Sequence, residues 1–150
     1  MVEGFMISFA NRLKNNSKNP IKVVQNNQTL QNGHIYLSEG KTRVKKDHYG
    51  LVLTHETASS NSFNPDINTL FNSFLPLCND IKILSIILTG IGDDGVNACK
   101  ELSMKGVTCI TESASSAIVD GMPSRARLLV PNIEIEDIST IVNKINRFCQ

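Results

Sequence analysis

Tryptophan is absent from this 150-residue sequence, and aromatic residues together make up only 5% of it. That leaves too few flat rings for a base-stacking surface. No excess of one charge exists either: 15 basic residues face 14 acidic ones, a formal net charge of +1. Such a balance gives no general attraction to nucleic acid or to an anionic membrane, so neither is expected as a partner. The four cysteines, Cys78, Cys99, Cys109 and Cys149, include no Cys-x-x-Cys pair, which argues against the usual zinc and dithiol-redox sites. Three sit in apolar runs and read instead as small buried hydrophobes. No His-Glu-x-x-His or Cys/His cluster marks a metal, and no cofactor is expected. The longest apolar stretch, Ile83 to Leu88, falls far short of the roughly 20 residues that cross a bilayer. The first residues, Met-Val-Glu-Gly-Phe, lack the basic start and apolar run of a secretory leader. The expectation is a cytoplasmic protein with no membrane insertion.

What is present suits one compact domain. The hydrophobic fraction is 41%, and a chain of this size buries roughly 68–70% of its unfolded surface. Residues 4–14 read as an amphipathic helix, with Phe5, Phe9 and Leu13 on one stripe. Ile21–Val24, His34–Leu37 and Gly50–Thr54 read as strands, with a charged, hairpin-like excursion over 38–49. Residues 57–64, rich in Ser and Asn, read as a loop. Pro65 opens a helix reaching about Leu75. Ile83–Leu88 is almost continuously apolar and β-branched, as in a strand covered on both faces. A helix follows from Gly95, with Val96, Cys99 and Leu102 inward, and Gly106 ends it. Val107–Ile110 is the next strand, and this strand–helix–strand order predicts parallel pairing. Arg127–Val130 reads as a further strand. Glu134–Cys149 reads as a terminal helix, with Ile135, Ile138, Ile141, Val142, Ile145 and Phe148 inward.

Ligands of open α/β sheets bind outside the carboxyl ends of the strands. Ile87-Leu-Thr-Gly-Ile-Gly-Asp-Asp-Gly95 lies at such an end. Its glycines permit a sharp turn, and a carboxylate just before a helix is favoured by the helix dipole. Three readings of the aspartates are open. One is a helix cap. One is the orienting member of a hydrolytic triad. One is a phosphate loop, disfavoured because two adjacent carboxylates repel an anion. A second turn, Ser113-Ala-Ser-Ser-Ala-Ile-Val-Asp-Gly-Met-Pro123, follows the next strand and should reach the same rim. Ser115 and Ser116 are candidate nucleophiles by residue type alone, since neither has the Gly-x-Ser-x-Gly setting of an activated serine. Of His34, His48 and His55, only His55, at a strand end beside the long loop, has a site-like position.

These segments resemble the catalytic domain of the chemotaxis receptor methylesterase (CheB) family. Ile87–Gly95 is similar to that family's L-T-G-M-G-x-D-G, and Ser116–Pro123 to its S-x-V-x-x-G-M-P. Pro65-Asp-Ile-Asn-Thr-Leu-Phe71 is similar to its P-S-V-D-x-L-F, and Gly33-His-Ile-Tyr36 to its G-x-x-Y. Met1–Leu13 is similar to H-M-P-x-G-F-x-x-S-F-A-x-R-L without the histidine. The resemblance implies an α/β fold: a mostly parallel, doubly wound sheet with flanking helices and a short antiparallel hairpin region. It implies a hydrolase of signal transduction, a protein-glutamate methylesterase and glutamine deamidase using a Ser-His-Asp triad. Its partners would be methylated chemoreceptor cytoplasmic helices, with a receiver domain as a further candidate. By position, Asp94 matches the triad aspartate and Ile91 a methionine beside the oxyanion site. Gly92, Ser116 and Met122 complete the oxyanion site or rim.

The departures carry equal weight. The family's Ser stands in a G-x-S-x-G-G turn near the domain's start, and its His directly precedes the methionine that matches Met1. The 150 residues are therefore expected to be an N-terminally incomplete single catalytic domain, inactive alone. A strand edge and an apolar face would be left bare, an aggregation hazard. Asn64 replaces a basic residue, Asp66 and Asn68 replace Ser and Asp, and Glu39-Gly40-Lys41 replaces Pro-Gly-Asp. These changes keep a second reading open, a catalytically degenerate module that binds receptors.

Overall fold

The computed structural model describes residues 5–56 and 64–150. They belong to two compact units, Met1–Ser73 and Phe74–Gln150. The first unit runs α1 (Phe5–Lys14), β1 (Ile21–Val23), β2 (Gln28–Thr29), β3 (Ile35–Leu37), β4 (Lys41–Asp47), β5 (Gly50–Glu56) and α2 (Ile67–Ser73). β1 and β3 pair in parallel. β2, β5 and β4 form an antiparallel sheet in that order. The charged excursion is thus a strand, β4, joined to β5 by a tight turn in which Asp47 pairs with Gly50. The Asp47 carboxylate accepts the Tyr49 N–H at 2.8 Å.

The inward stripe of α1 is rotated from the expected one. Met6 and Ala10 are buried, whereas Phe5 and Phe9 are exposed and stack on each other at 5.7 Å between ring centroids. A small alanine at the contact lets the helix approach β1 closely, and the larger rings take the outer side. The Ser/Asn-rich loop expected over 57–64 lies, apart from Asn64, outside the described residues.

The second unit contains a 3-10 turn (Leu75–Leu77), β6 (Leu84–Ile87), α3 (Val96–Met104), β7 (Thr108–Glu112), α4 (Gly121–Leu129), β8 (Glu134–Glu136) and α5 (Ile138–Phe148). β6, β7 and β8 form a parallel sheet in that order. Together with the helices and the antiparallel sheet, this is the α/β class expected from the sequence. α3 packs with Val96, Ala98, Cys99 and Leu102 buried, against α4 and against β6 and β7. Burying side chains of the size of Val96 or Leu102 is worth roughly 1.5–3 kcal/mol each. Buried polar groups in the sheet are paired: the Thr111 hydroxyl donates to the Ile87 carbonyl at 3.1 Å.

Two expectations for the chain's last third were wrong. Residues 127–130 belong not to a strand but to α4 and its C-cap. Pro123 sits in that helix's first turn, and Pro123, Ala126 and Val130 are buried at helical spacing. The terminal helix also starts later than expected. Glu134–Glu136 is β8, parallel to β7, and α5 begins at Ile138 after Asp137 at the N-cap. Of the six residues expected inward, only Ile141 is buried; Ile135, Ile138, Val142, Ile145 and Phe148 are exposed. No described helix is long and apolar enough to cross a membrane.

Candidate active site

The turn after β6 stands at the carboxyl end of a parallel strand. The backbone leaves Ile87, turns through Gly92 at φ +97°, and enters α3 from Gly95 at φ +87°. Gly95 occupies the N-cap position. Neither aspartate is therefore the N-cap residue, which weakens the simple capping reading. Asp93 is exposed, but Asp94 is only 7% exposed. A carboxylate that deep is costly unless it is held by partners. Ile91, two residues after Thr89, projects into solvent at 87% exposure.

The second turn comes to the same end of the sheet, as expected. The Gly90 N–H donates to the Val119 carbonyl at 2.9 Å, and the Met122 N–H donates to the Gly90 carbonyl at 2.8 Å. The Thr89 hydroxyl donates to the Val119 carbonyl at 3.2 Å and lies 2.7 Å from the Val119 N–H, which donates to it. Glycines are needed where the two turns touch. A β-carbon on Gly90 would lie 2.6 Å from the Met122 sulfur, and one on Gly121 would lie 2.6 Å from the Gly90 carbonyl oxygen. Met122 and Ile91 thus sit on two turns held together through Gly90. Ile118, one residue before Val119, is 90% exposed.

Ser116 is engaged rather than poised. Its hydroxyl donates to Glu112 Oε1 at 2.8 Å and accepts the Ile138 N–H at 3.0 Å. Ser115 bonds Ser113 and Asp137. His55 lies in β5, in the first unit, with its N–H donating to Asn26 Oδ1 at 3.3 Å. Its Nδ1 is buried with no hydrogen-bond partner among the described residues. No cluster of metal-ligating side chains occurs among the described residues.

Sequence reasoning missed Glu112 and Arg127. Glu112 ends a strand whose preceding three residues are buried, and is itself 4% exposed. A charged residue closing an apolar strand was the available signal. Its Oε2 accepts the Thr89 N–H at 3.0 Å. Arg127 donates to the Glu112 carbonyl at 2.9 Å and to Asp120 Oδ2 at 2.5 Å.

The altered positions around Pro65 have structural employment. Asp66 Oδ1 accepts the Thr69 N–H at 2.8 Å, capping α2, a task Ser and Asp perform about equally well. Asn64 Oδ1 accepts the Gly40 N–H at 2.8 Å.

A model of the CheB methylesterase family matches residues 1–145. The chain belongs to that family. Relatives at about one-third identity agree. A protein-glutamate methylesterase/protein-glutamine glutaminase of Carboxydothermus hydrogenoformans is 32% identical over 84% of this chain. A probable protein-glutamate methylesterase of Borreliella burgdorferi is 34% identical over 84% of it. A methylesterase/glutaminase of Bacillus subtilis is 32% identical over 95% of it. The chain spans only 37%, 34% and 42% of those three proteins. The CheB methylesterase catalytic domain of Thermotoga maritima superposes with a TM-score of 0.85 at 21% identity, over 99% of this chain and 79% of that one. At that identity the likeness speaks for the fold.

Proposed function

We propose that these residues form one wall of a protein-glutamate methylesterase and glutamine deamidase site, with Asp94 as the triad aspartate. The observation that carries this reading is the placement of Asp94. It is buried at the carboxyl end of β6, in a turn fastened to the Gly121–Met122 turn, within a chain of the methylesterase family. An aspartate so placed orients a histidine and stabilises the imidazolium formed as the serine attacks the ester carbonyl. The serine and histidine would come from sequence outside these 150 residues. Ile91, Gly92, Ser116 and Met122 then lie at the oxyanion site or its rim. The Ser116 hydroxyl, committed to Glu112 and Ile138, supports a structural part for that residue and not a nucleophilic one. The substrates would be methylated glutamates on chemoreceptor cytoplasmic helices, in the cytoplasm, and a receiver domain would be the regulatory partner.

The test compares methanol release from methylated receptors by the 150-residue chain and by the protein carrying its natural upstream sequence. The reading predicts turnover by the longer protein and none by the shorter. An inactive longer protein that still captures receptor fragments would favour the degenerate binding module instead. The structural use of Asn64 and Asp66 argues against that second reading, since their replacement does not by itself signal decay of the site.

A further inference from the structure

Glu112 is the point at which four chain segments meet. Its carboxylate oxygens are divided between two donors. Oε2 takes the Thr89 N–H of the β6 turn at 3.0 Å, and Oε1 takes the Ser116 hydroxyl of the following loop at 2.8 Å. Ser116 in turn accepts the Ile138 N–H, the first residue of α5, at 3.0 Å. The Glu112 carbonyl takes Arg127 from α4 at 2.9 Å. A carboxylate buried to 4% exposure is stable only with such donors. Its two acceptor oxygens match the two donors one to one. Glutamine would present an amide N–H to one of them, most tolerably to Ser116, whose hydroxyl already accepts one bond.

We propose that Glu112 is a positioning residue for the reaction, acting through the Thr89 amide. Thr89 stands two residues before Ile91 and five before Asp94. Glu112 therefore sets the height of the Thr89–Gly95 turn against the 113–123 loop without touching substrate. This rests on the methylesterase reading of the site. Second-layer supports of this kind hold catalytic groups within the narrow tolerance that chemistry needs.

The test uses the protein with its natural upstream sequence, in parent, Glu112→Ala and Glu112→Gln forms. Hydrogen–deuterium exchange is read on the 87–95 peptide, and methyl-ester hydrolysis in parallel. Glu112→Ala should raise exchange in that peptide. It should lower kcat by up to about 100-fold, the scale of a misplacement of about 1 Å, with KM little changed. Glu112→Gln should restore most of both, and it carries the test alone if the alanine variant does not fold, through a smaller kcat loss and a matching rise in exchange. Unchanged exchange in the variants overturns the proposal, and so does raised exchange with unchanged kcat. A parent protein inactive on methyl esters would sink the methylesterase reading instead. The exchange comparison would then still decide whether Glu112 holds the turn.

Discussion

Gly121 lies against the Gly90 backbone so closely that a β-carbon on Gly121 would stand 2.6 Å from the Gly90 carbonyl oxygen. That oxygen also accepts the Met122 N–H at 2.8 Å, so it cannot move aside freely. Gly121→Ala should cost roughly 1–3 kcal/mol, the usual range for forcing a methyl group into a filled space. The denaturation midpoint measures it. A midpoint equal to the parent's would mean the two turns part easily.

Arg127 fastens the same region from α4. It bonds the Glu112 carbonyl and Asp120 Oδ2, and Asp120 Oδ1 is buried without a hydrogen-bond partner among the described residues. Arg127→Met therefore strands two acceptors and should cost about 1–3 kcal/mol. A double-mutant cycle with Asp120→Asn should show coupling above about 0.5 kcal/mol. Additive losses would show that the pair acts separately.

The thiols should react in order of exposure. Cys149 is exposed, Cys78 intermediate, and Cys99 and Cys109 buried, all as free cysteines. The Cys109 thiol is pushed above the usual range by its hydrogen bond to Cys99 and then by burial, which suppresses the reactive thiolate. Native alkylation followed by mass spectrometry should label Cys149 first, and Cys99 and Cys109 only after unfolding. Early labelling of Cys109 would contradict the packing of α3 on β7.

Lys144 bonds Glu134 and Glu136, and these bonds, Glu134 first, raise its pKa. A lysine whose folded value is raised stabilises fully below its unfolded value, about 10.4, and loses that contribution as pH rises through the folded value. The stability gap between parent and Lys144→Met should be small, as for exposed pairs. It should stay constant from neutral pH upward and close only in the alkaline range. A gap that closes near neutrality would contradict this assignment.

The β6–α3–β7 unit was legible because its signals are local: an apolar strand, a glycine turn, a helical stripe ending at Gly106, and another apolar strand. The glycine turn that carries Asp94 was legible for the same reason, and the ordered motifs placed the chain in its family. The sequence reading failed where short elements sit close together. Arg127–Val130 suggested a strand, although Pro123, Ala126 and Val130 already carried helical spacing. Glu134-Ile135-Glu136 was absorbed into the next helix, although Asp137 is a favoured N-cap residue. Glu112 was missed because its importance lies in long-range partners, Thr89 and Ser116, that no local pattern displays.

The most direct measurement is methanol release by the protein with its natural upstream sequence, comparing parent with Asp94→Asn. The asparagine keeps the shape but favours the wrong histidine tautomer, so kcat should fall by roughly 10⁴-fold with the fold intact by circular dichroism. Activity within a few-fold of the parent would contradict the role of Asp94 as the triad aspartate.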